Sequence, residues 1–257
     1  MSRFLPYLAP GIAILAYYRL FIRIVGGLSG PVVRSLGLDR RYPMRHVDGM
    51  VKLALAGISQ AAFAVSLMLV THVAPSQLVL TGIHASLLVY GVFLGIGEMV
   101  FISFLCSVAM RAAMRVAPGG PTRLEDWLTV ACGGWLYEYL RTLEIAPLPI
   151  ALVLILIYVS GEEVVFRGLL ISDFHSAGLV WAVGVSTLLF MLVQTFQIPA
   201  WRSGLFPVIG AATVGIVHGL LFVAVPTVVP LIVAHLTFFL SATLGANSRV
   251  GFERRLS

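Results

Sequence analysis

Charged residues are scarce in this chain of 257 residues. Only 11% of the residues are Asp, Glu, Lys or Arg, whereas 59% are hydrophobic, and the mean hydropathy is +0.99. A water-soluble domain of this length needs far more charge to cover its surface, so the composition excludes a soluble globular protein. It indicates instead a multi-pass membrane protein, in which each helix needs roughly 20 apolar residues to cross a hydrocarbon core about 30 Å thick.

Cysteine is also nearly absent. Cys106 and Cys132 are the two cysteines, and their spacing fits neither a disulfide framework nor a metal-binding Cys-x-x-Cys pair. The sequence has no His-Glu-x-x-His pair, no internal repeat and no low-complexity segment. These absences argue against a zinc hydrolase and against a stapled extracellular domain, and we expect no metal and no other cofactor.

Apolar stretches of membrane-spanning length follow one another along the chain. An additional stretch, Trp127–Leu140, is apolar but short and contains Glu138, so it is either a poor span or an interfacial helix with Tyr139 in an aromatic belt. We therefore predict an all-α polytopic membrane protein with seven or eight transmembrane helices. The longer stretches are approximately Phe4–Tyr18, Val51–Val73, Leu78–Met110, Ala146–Leu170, Gly178–Pro199, Gly204–Val225 and Thr227–Gly245.

The basic residues, which include a single lysine, gather at three places. One cluster lies in the first long loop (Arg34–Lys52), one in the second (Arg111–Arg123) and one at the end of the chain (Arg249–Arg255). The positive-inside rule predicts that all three face the cytoplasm. Topology and contact with lipid headgroups explain these clusters, so we expect the lipid bilayer and not nucleic acid as their partner.

The stretch SGEEVVFRGLL places charges where they are costly. Glu162, Glu163 and Arg167 follow a run without any charge from Ile145 to Ser160, and an ionised side chain at mid-membrane costs about 2.5–3.5 kcal/mol. Glu163 and Arg167 are four residues apart, so they share a helix face and can pair. Glu162 points about 100° away from Glu163 and is left without a local partner. An unpaired acid in apolar surroundings is a candidate general base.

Other polar residues occur at a similar depth in the helices that follow. With a rise of 1.5 Å per helical residue, Glu162, Gln194 and His235 are predicted to lie within one helical turn of the same membrane depth. Convergence at one level is what a buried polar site requires. His218 is estimated to lie at a shallower level, and we expect it to be an interhelical hydrogen-bonding residue.

The Glu-Glu-x-x-x-Arg motif formed by Glu162, Glu163 and Arg167 resembles the first motif of a known family. This is the CPBP family, the CAAX prenyl protease and bacteriocin-processing membrane proteins, also called the ABI family. The resemblance covers roughly Ala146 to Gly245. We therefore divide the chain into an N-terminal part, residues 1–145, and a CPBP-like four-helix core, residues 146–257.

The second and third motifs match only in part. Phe190 matches the phenylalanine of the second motif, Phe-x-x-x-His, but Gln194 stands at its histidine position. His235 matches the histidine of the third motif, His-x-x-x-Asn, but Phe239 stands at its asparagine position. Two of the residues that the family motifs specify are thus replaced here.

The resemblance implies an intramembrane glutamic-type peptidase that acts on a peptide or membrane-protein substrate without a cofactor. In this reading Glu162 is the base that activates a water, and His235 is the oxyanion or proton partner. Glu163 and Arg167 support the site from their own helix. A zinc site built from the two glutamates and His235 is the less favoured alternative, because zinc requires three or four ligands in tetrahedral geometry.

The two replacements weaken this chemistry. Gln194 cannot take up a proton and return it as an imidazole does, although its amide can orient a water or donate to an oxyanion. Phe239 removes a hydrogen-bond donor, and loss of one oxyanion donor typically costs about 10²–10³ in kcat. His218 or Gln197 would compensate if either side chain reached the site.

Three functions therefore remain open. The first is a peptidase of retuned or reduced activity. The second is a catalytically impaired relative that acts as a scaffold, assembly or immunity factor with a membrane-protein partner. The third is a small-solute transporter, suggested by Glu98, an acid within an apolar stretch that lies either on a proton or substrate path or in a pair with an arginine such as Arg19.

Overall fold

The computed structural model of the protein describes residues 5–79, 83–116, 135–196, 198 and 204–256, and all regular secondary structure in these ranges is helical. A six-residue π-helical turn, Val164–Leu169, connects α5 to α6. In chain order the described α-helices are α1 (Leu5–Ser35), α2 (Met44–Thr71), α3 (Ala85–Val116), α4 (Trp135–Ile145), α5 (Leu148–Glu163), α6 (Leu170–Phe174), α7 (Leu179–Thr195), α8 (Leu205–Ala224) and α9 (Val229–Leu256).

Five helical segments of the described chain are long and apolar enough to cross a membrane. The shorter apolar helices Leu179–Thr195 and Val229–Ala242 accompany them. The all-helical class is therefore confirmed, and the predicted count of seven or eight spans stays a prediction. The candidate spans are Ala9–Ser35, Met44–Thr71, Ala85–Arg115, Leu148–Ala177 and Leu205–Ala224.

Several helix ends differ from the prediction for identifiable reasons. α1 does not stop near Tyr18 but continues past Arg19 and Arg23 to Ser35, so these arginines lie within a helix. α3 begins at Ala85 and not at Leu78, where the sequence predicts the start of a span. The segment Pro75–Leu78 instead forms a short 3₁₀ helix with proline at its first position. Proline at that position favours a new, short helix.

Close packing of α3 against α9 depends on two glycines spaced four residues apart. A Cβ atom on Gly91 would lie 2.6 Å from the carbonyl oxygen of Pro230, and one on Gly95 would collide with the carbonyl oxygen of Ala234. This Gly-x-x-x-Gly pattern lets two helix backbones approach closely within a membrane. It sets Glu98, less than one turn after Gly95, against the bundle interior, where it is 4% exposed.

The π-helical turn interrupts the hydrogen-bond ladder directly after the glutamate doublet. The extra residue changes the phase of the helix, and such turns leave backbone groups in need of other partners. Ser186 on α7 donates a hydrogen bond from its Oγ to the carbonyl oxygen of Phe166 at 2.5 Å. α7 thus stabilises the turn, and Arg167 within it is fully buried.

α4 is too short to span a bilayer and lies against α2. Lys52 forms ion pairs with Asp48 at 2.7 Å and with Glu138 at 3.7 Å. Burial raises the pKa of Glu138 above its usual value, and the nearby Lys52 ammonium opposes this shift. Tyr139 is fully buried, so the prediction that it belongs to an aromatic belt is wrong: the ion pairs fix the helix with this ring turned inward. Residues 127–134 lie outside the described ranges.

We predict that Gly95→Ala destabilises the protein whereas Gly97→Ala does not. The new Cβ at position 95 would meet the α9 backbone, and overpacking of this kind typically costs about 1–3 kcal/mol. The new Cβ at position 97 has no atom of the described structure within 4 Å. Thermal unfolding of the purified variants in one detergent measures both effects. Equal melting temperatures for the two variants would contradict the close α3–α9 contact.

Candidate active site

The two adjacent glutamates lie in the last turn of α5 and are both buried, Glu162 at 1% and Glu163 at 0% exposure. Because neighbouring residues of a helix project about 100° apart, their carboxylates meet different side chains. Each carboxylate therefore has its own surroundings within one cluster.

Glu163 is surrounded by hydrogen-bond donors and positive charge. Its Oε1 lies 2.7 Å from Nδ1 of His235, and its Oε2 lies 3.0 Å from Nδ1 of His218. Arg167 Nε is 3.5 Å from the same Oε2, so the predicted pair within the helix is present. Both oxygens of Glu163 are engaged, which makes this residue a structural anchor for α8 and α9.

Arg167 is held between a carboxylate and an aromatic face. Its guanidinium lies 4.4 Å from the ring centroid of Phe190 on α7. A desolvated cation over an aromatic ring gains a cation–π interaction in addition to its ion pair. Phe190 therefore contacts the site through Arg167.

His218 connects Glu163 to a third acid. Its Nε2 lies 3.1 Å from Oε1 and 3.2 Å from Oε2 of Glu98 on α3. The alternative pairing of Glu98 with Arg19 is therefore wrong, and the guanidinium of Arg19 instead lies 5.4 Å from the ring centroid of Phe196. His218 bridges two carboxylates from two other helices and joins Glu98 to the site.

Glu162 faces the opposite side of the cluster. The amide Nε2 of Gln194 donates to its Oε1 at 3.5 Å, and Nε2 of His235 lies 3.7 Å from its Oε2. Tyr158, one turn earlier in α5, contacts the same carboxylate. The structure thus brings Glu162, Gln194 and His235 together from three helices. Their separations are at or beyond the usual hydrogen-bond limit, so the three side chains are adjacent but are not held together by short hydrogen bonds.

Phe239 packs directly on the imidazole of His235. Its ring is stacked on His235 with a centroid distance of 5.0 Å and an interplanar angle of 21°. This contact restricts the imidazole on one face and supplies no donor.

The site also contains residues that the sequence did not single out. Gln60 on α2 donates from Nε2 to the hydroxyl of Tyr18 at 2.8 Å, and both side chains are buried. A Cβ on Gly161 would lie 2.7 Å from Cγ of Gln60, so α2 and α5 meet here closely. A glutamine in an apolar span is a sequence signal that could have pointed to this contact. Gln197 lies outside the described residues.

Within the described ranges, no group of three or more His, Cys, Asp or Glu side chains is placed so that it could hold a metal ion. The carboxylates and imidazoles pair with one another instead. This arrangement provides an acid, a base and an amide donor at one point inside a helical bundle.

An apolar helical fold with five candidate membrane spans in the described chain and a buried carboxylate–imidazole cluster indicates a multi-pass membrane protein. Residues 144–240 match the family model described as Type II CAAX prenyl endopeptidase Rce1-like. The match extends from the end of α4 into α9, and it confirms the resemblance to the CPBP family. It makes a CAAX-type intramembrane protease plausible. No curated protein and no solved structure matches the chain.

We predict unequal stability effects for the two adjacent glutamates. Glu163→Gln leaves a fully buried Arg167 without its counterion, and breaking a buried pair typically costs about 3–5 kcal/mol. Glu162→Gln removes a buried charge whose neighbours are an amide and an imidazole, so the melting temperature stays near that of the wild type. Thermal unfolding in detergent tests the contrast, and an equal loss in both variants would refute the separate roles.

Proposed function

We propose that this protein is an intramembrane peptidase in which Glu162 activates a water for attack on a peptide carbonyl. The observation that supports this most strongly is the different surroundings of the two glutamates. Glu163 is fully engaged by His218, His235 and Arg167, whereas Glu162 faces an amide and an imidazole from two other helices. A base needs a carboxylate within reach of the proton that it removes, and the contacts of Glu162 with Gln194 and His235, at 3.5 and 3.7 Å, are long enough to be exchanged for contacts with a water.

The hydrogen bond between Glu163 and His235 decides which ring nitrogen can take part. Because Nδ1 of His235 lies 2.7 Å from Glu163, Nε2 is the nitrogen that faces Glu162. A carboxylate that orients an imidazole in this way fixes its tautomer for acid–base work. Glu162 takes one proton of the attacking water and returns it to the leaving amine, while the unprotonated Nε2 of His235 accepts a hydrogen bond from the same water and helps to orient it.

Gln194 positions the water and transfers no proton. Its NH₂ group lies 3.5 Å from Glu162, so a water held by that carboxylate also comes within reach of the amide. A carboxamide does not exchange protons near neutral pH, so the proton transfer rests on Glu162. We therefore expect lower turnover than a histidine at position 194 would give.

One observation favours a second function, a scaffold or assembly factor that binds a membrane protein without cleaving it. Phe239 is stacked on His235, where it contributes no hydrogen-bond donor.

Glu98, the residue that suggested transport, is bonded to His218 in the same cluster, so it supports the peptidase or scaffold function equally.

We further propose that the loop between α1 and α2, with its arginines, and the end of α9 face the cytoplasm. The excess of basic residues at these positions supports this orientation. The division into N-terminal helices, residues 1–145, and a four-helix core, residues 146–257, remains a proposal, and Glu98 on α3 contributes to the cluster of that core.

The test of the peptidase uses the purified chain in liposomes and internally quenched peptides. One peptide ends in a prenylated CAAX motif and its match lacks the prenyl group. We expect cleavage by the wild type and a loss of at least about 10²-fold in Glu162→Gln, because general base catalysis contributes about 10²–10⁴. Gln194→His should raise kcat, since it restores a group that can exchange protons.

Asp39→Asn is the matched control. Asp39 is an exposed carboxylate on the short 3₁₀ helix Leu38–Arg40, so its loss should leave cleavage unchanged. If neither the wild type nor Gln194→His cleaves either peptide while a membrane-protein partner copurifies with both, the scaffold function is favoured and the peptidase proposal fails.

A further inference from the structure

The short helix α4 is fixed on α2 in one orientation. Arg141 lies 2.8 Å from His46, and a Cβ on Gly49 would lie only 2.7 Å from a carboxylate oxygen of Glu138. This close approach and the ion pairs on the outer side leave α4 little freedom to rotate. Its inner side consequently presents Tyr139 and Thr142, both fully buried, to the bundle.

The two buried hydroxyl groups of α4 differ in how they are satisfied. Thr142 donates to the backbone carbonyl of Glu138 at 2.7 Å. The hydroxyl of Tyr139 has no hydrogen-bond partner in the part of the chain that the structure describes. A buried, unpaired hydroxyl costs about 1–3 kcal/mol, and such a group in a native fold calls for an explanation.

The surroundings of Tyr139 connect it to the site. Its ring centroid lies 4.6 Å from that of Phe239 and 6.1 Å from that of Tyr158. Phe239 is stacked on His235, and Tyr158 contacts Glu162. Tyr139 therefore adjoins the neighbours of both groups to which we assign the chemistry.

The protonation state of Tyr139 suits a donor. Burial, together with the nearby Glu162 carboxylate, raises the pKa of Tyr139 well above its usual value. The hydroxyl keeps its proton throughout the physiological range and donates a hydrogen bond without releasing that proton.

We propose that Tyr139 is a catalytic residue whose hydroxyl donates a hydrogen bond to the substrate carbonyl oxygen as that oxygen becomes an oxyanion. This inference rests on the proposed peptidase function and names the donor that Phe239 cannot provide. Tyrosine hydroxyls are among the side-chain donors that stabilise an oxyanion. Bound substrate then supplies the partner that the hydroxyl lacks among the described residues.

A hydrogen bond from Tyr139 does not alter the proton balance of the peptide hydrolysis. The water gives its proton to Glu162, its oxygen bonds to the carbonyl carbon, and the carbonyl oxygen gains the electron pair. Tyr139 donates to that oxygen without transferring its proton. The C–N bond then breaks, and the leaving nitrogen takes the proton from Glu162.

Tyr139→Phe is the direct test, because it keeps the ring that packs on Phe239 and removes only the hydroxyl. With the internally quenched peptides we expect kcat to fall by about 10²–10³ with little change in KM, since one oxyanion donor is lost. The melting temperature should stay level or rise, because the hydroxyl has no partner to lose among the described residues. A purely structural role predicts the reverse, a lower melting temperature with kcat preserved.

A double-mutant cycle tests the link to position 239. An asparagine there supplies a new donor, so Phe239→Asn should restore part of the turnover lost in Tyr139→Phe and should help it more than it helps the wild type. Tyr17→Phe is the matched control: it removes a part-buried hydroxyl that already pairs with Ser59 at 2.9 Å, so it should leave kcat unchanged.

Binding of a peptide phosphinate, an uncleavable analogue of the tetrahedral intermediate, separates the two proposals. If the wild type cleaves the peptide or binds the phosphinate and Tyr139→Phe does either equally well, Tyr139 is not a donor and only this inference fails. If Tyr139→Phe selectively loses kcat or phosphinate affinity, the inference stands. A wild type that neither cleaves the peptides nor binds the phosphinate overturns the proposed function and this inference with it.

Discussion

The buried carboxylate of Glu163 is the group on which the other contacts of the site depend. Its Oε1 is hydrogen-bonded to His235, and its Oε2 forms ion-pair contacts with His218 and Arg167, so one side chain of α5 contacts groups from α8, α9 and the π-helical turn. A buried charge is costly unless it is paired, and here each oxygen of Glu163 faces a nitrogen of a basic side chain. The imidazole of His235 has a defined orientation because Glu163 holds its Nδ1. Without that contact the imidazole ring would have no fixed orientation toward Glu162.

Adjacent residues of identical chemistry perform different tasks in this bundle. Glu163 is engaged on every side, whereas Glu162 has longer contacts with Gln194 and His235. The difference follows from about 100° of helix rotation between neighbours, which turns one carboxylate toward α8 and the π-helical turn and the other toward the end of α7. A doublet thus provides an anchor and a reactive group at one depth, and no additional helix is needed to carry the second acid.

The sequence predicted local pairs and depths well, and lateral contacts poorly. The Glu163–Arg167 pair follows from its four-residue spacing, and equal depth indicated that Glu162 and His235 would meet. Glu98 and His218 are 120 residues apart, and nothing in a single sequence states which faces of α3 and α8 adjoin. Tyr139 was misplaced because a short amphipathic helix with tyrosines resembles an interfacial one. Its inward rotation depends on ion pairs with α2 that only the assembled bundle reveals.

The bond between Glu98 and His218 constrains how this protein can diverge. Both side chains lie in the interior, and each satisfies the other across two helices. Loss of Glu98 alone would leave Nε2 of His218 without this carboxylate, and loss of His218 alone would leave the buried carboxylate of Glu98 without this imidazole. Substitutions at these positions should therefore arise together, and across an alignment of relatives positions 98 and 218 should covary.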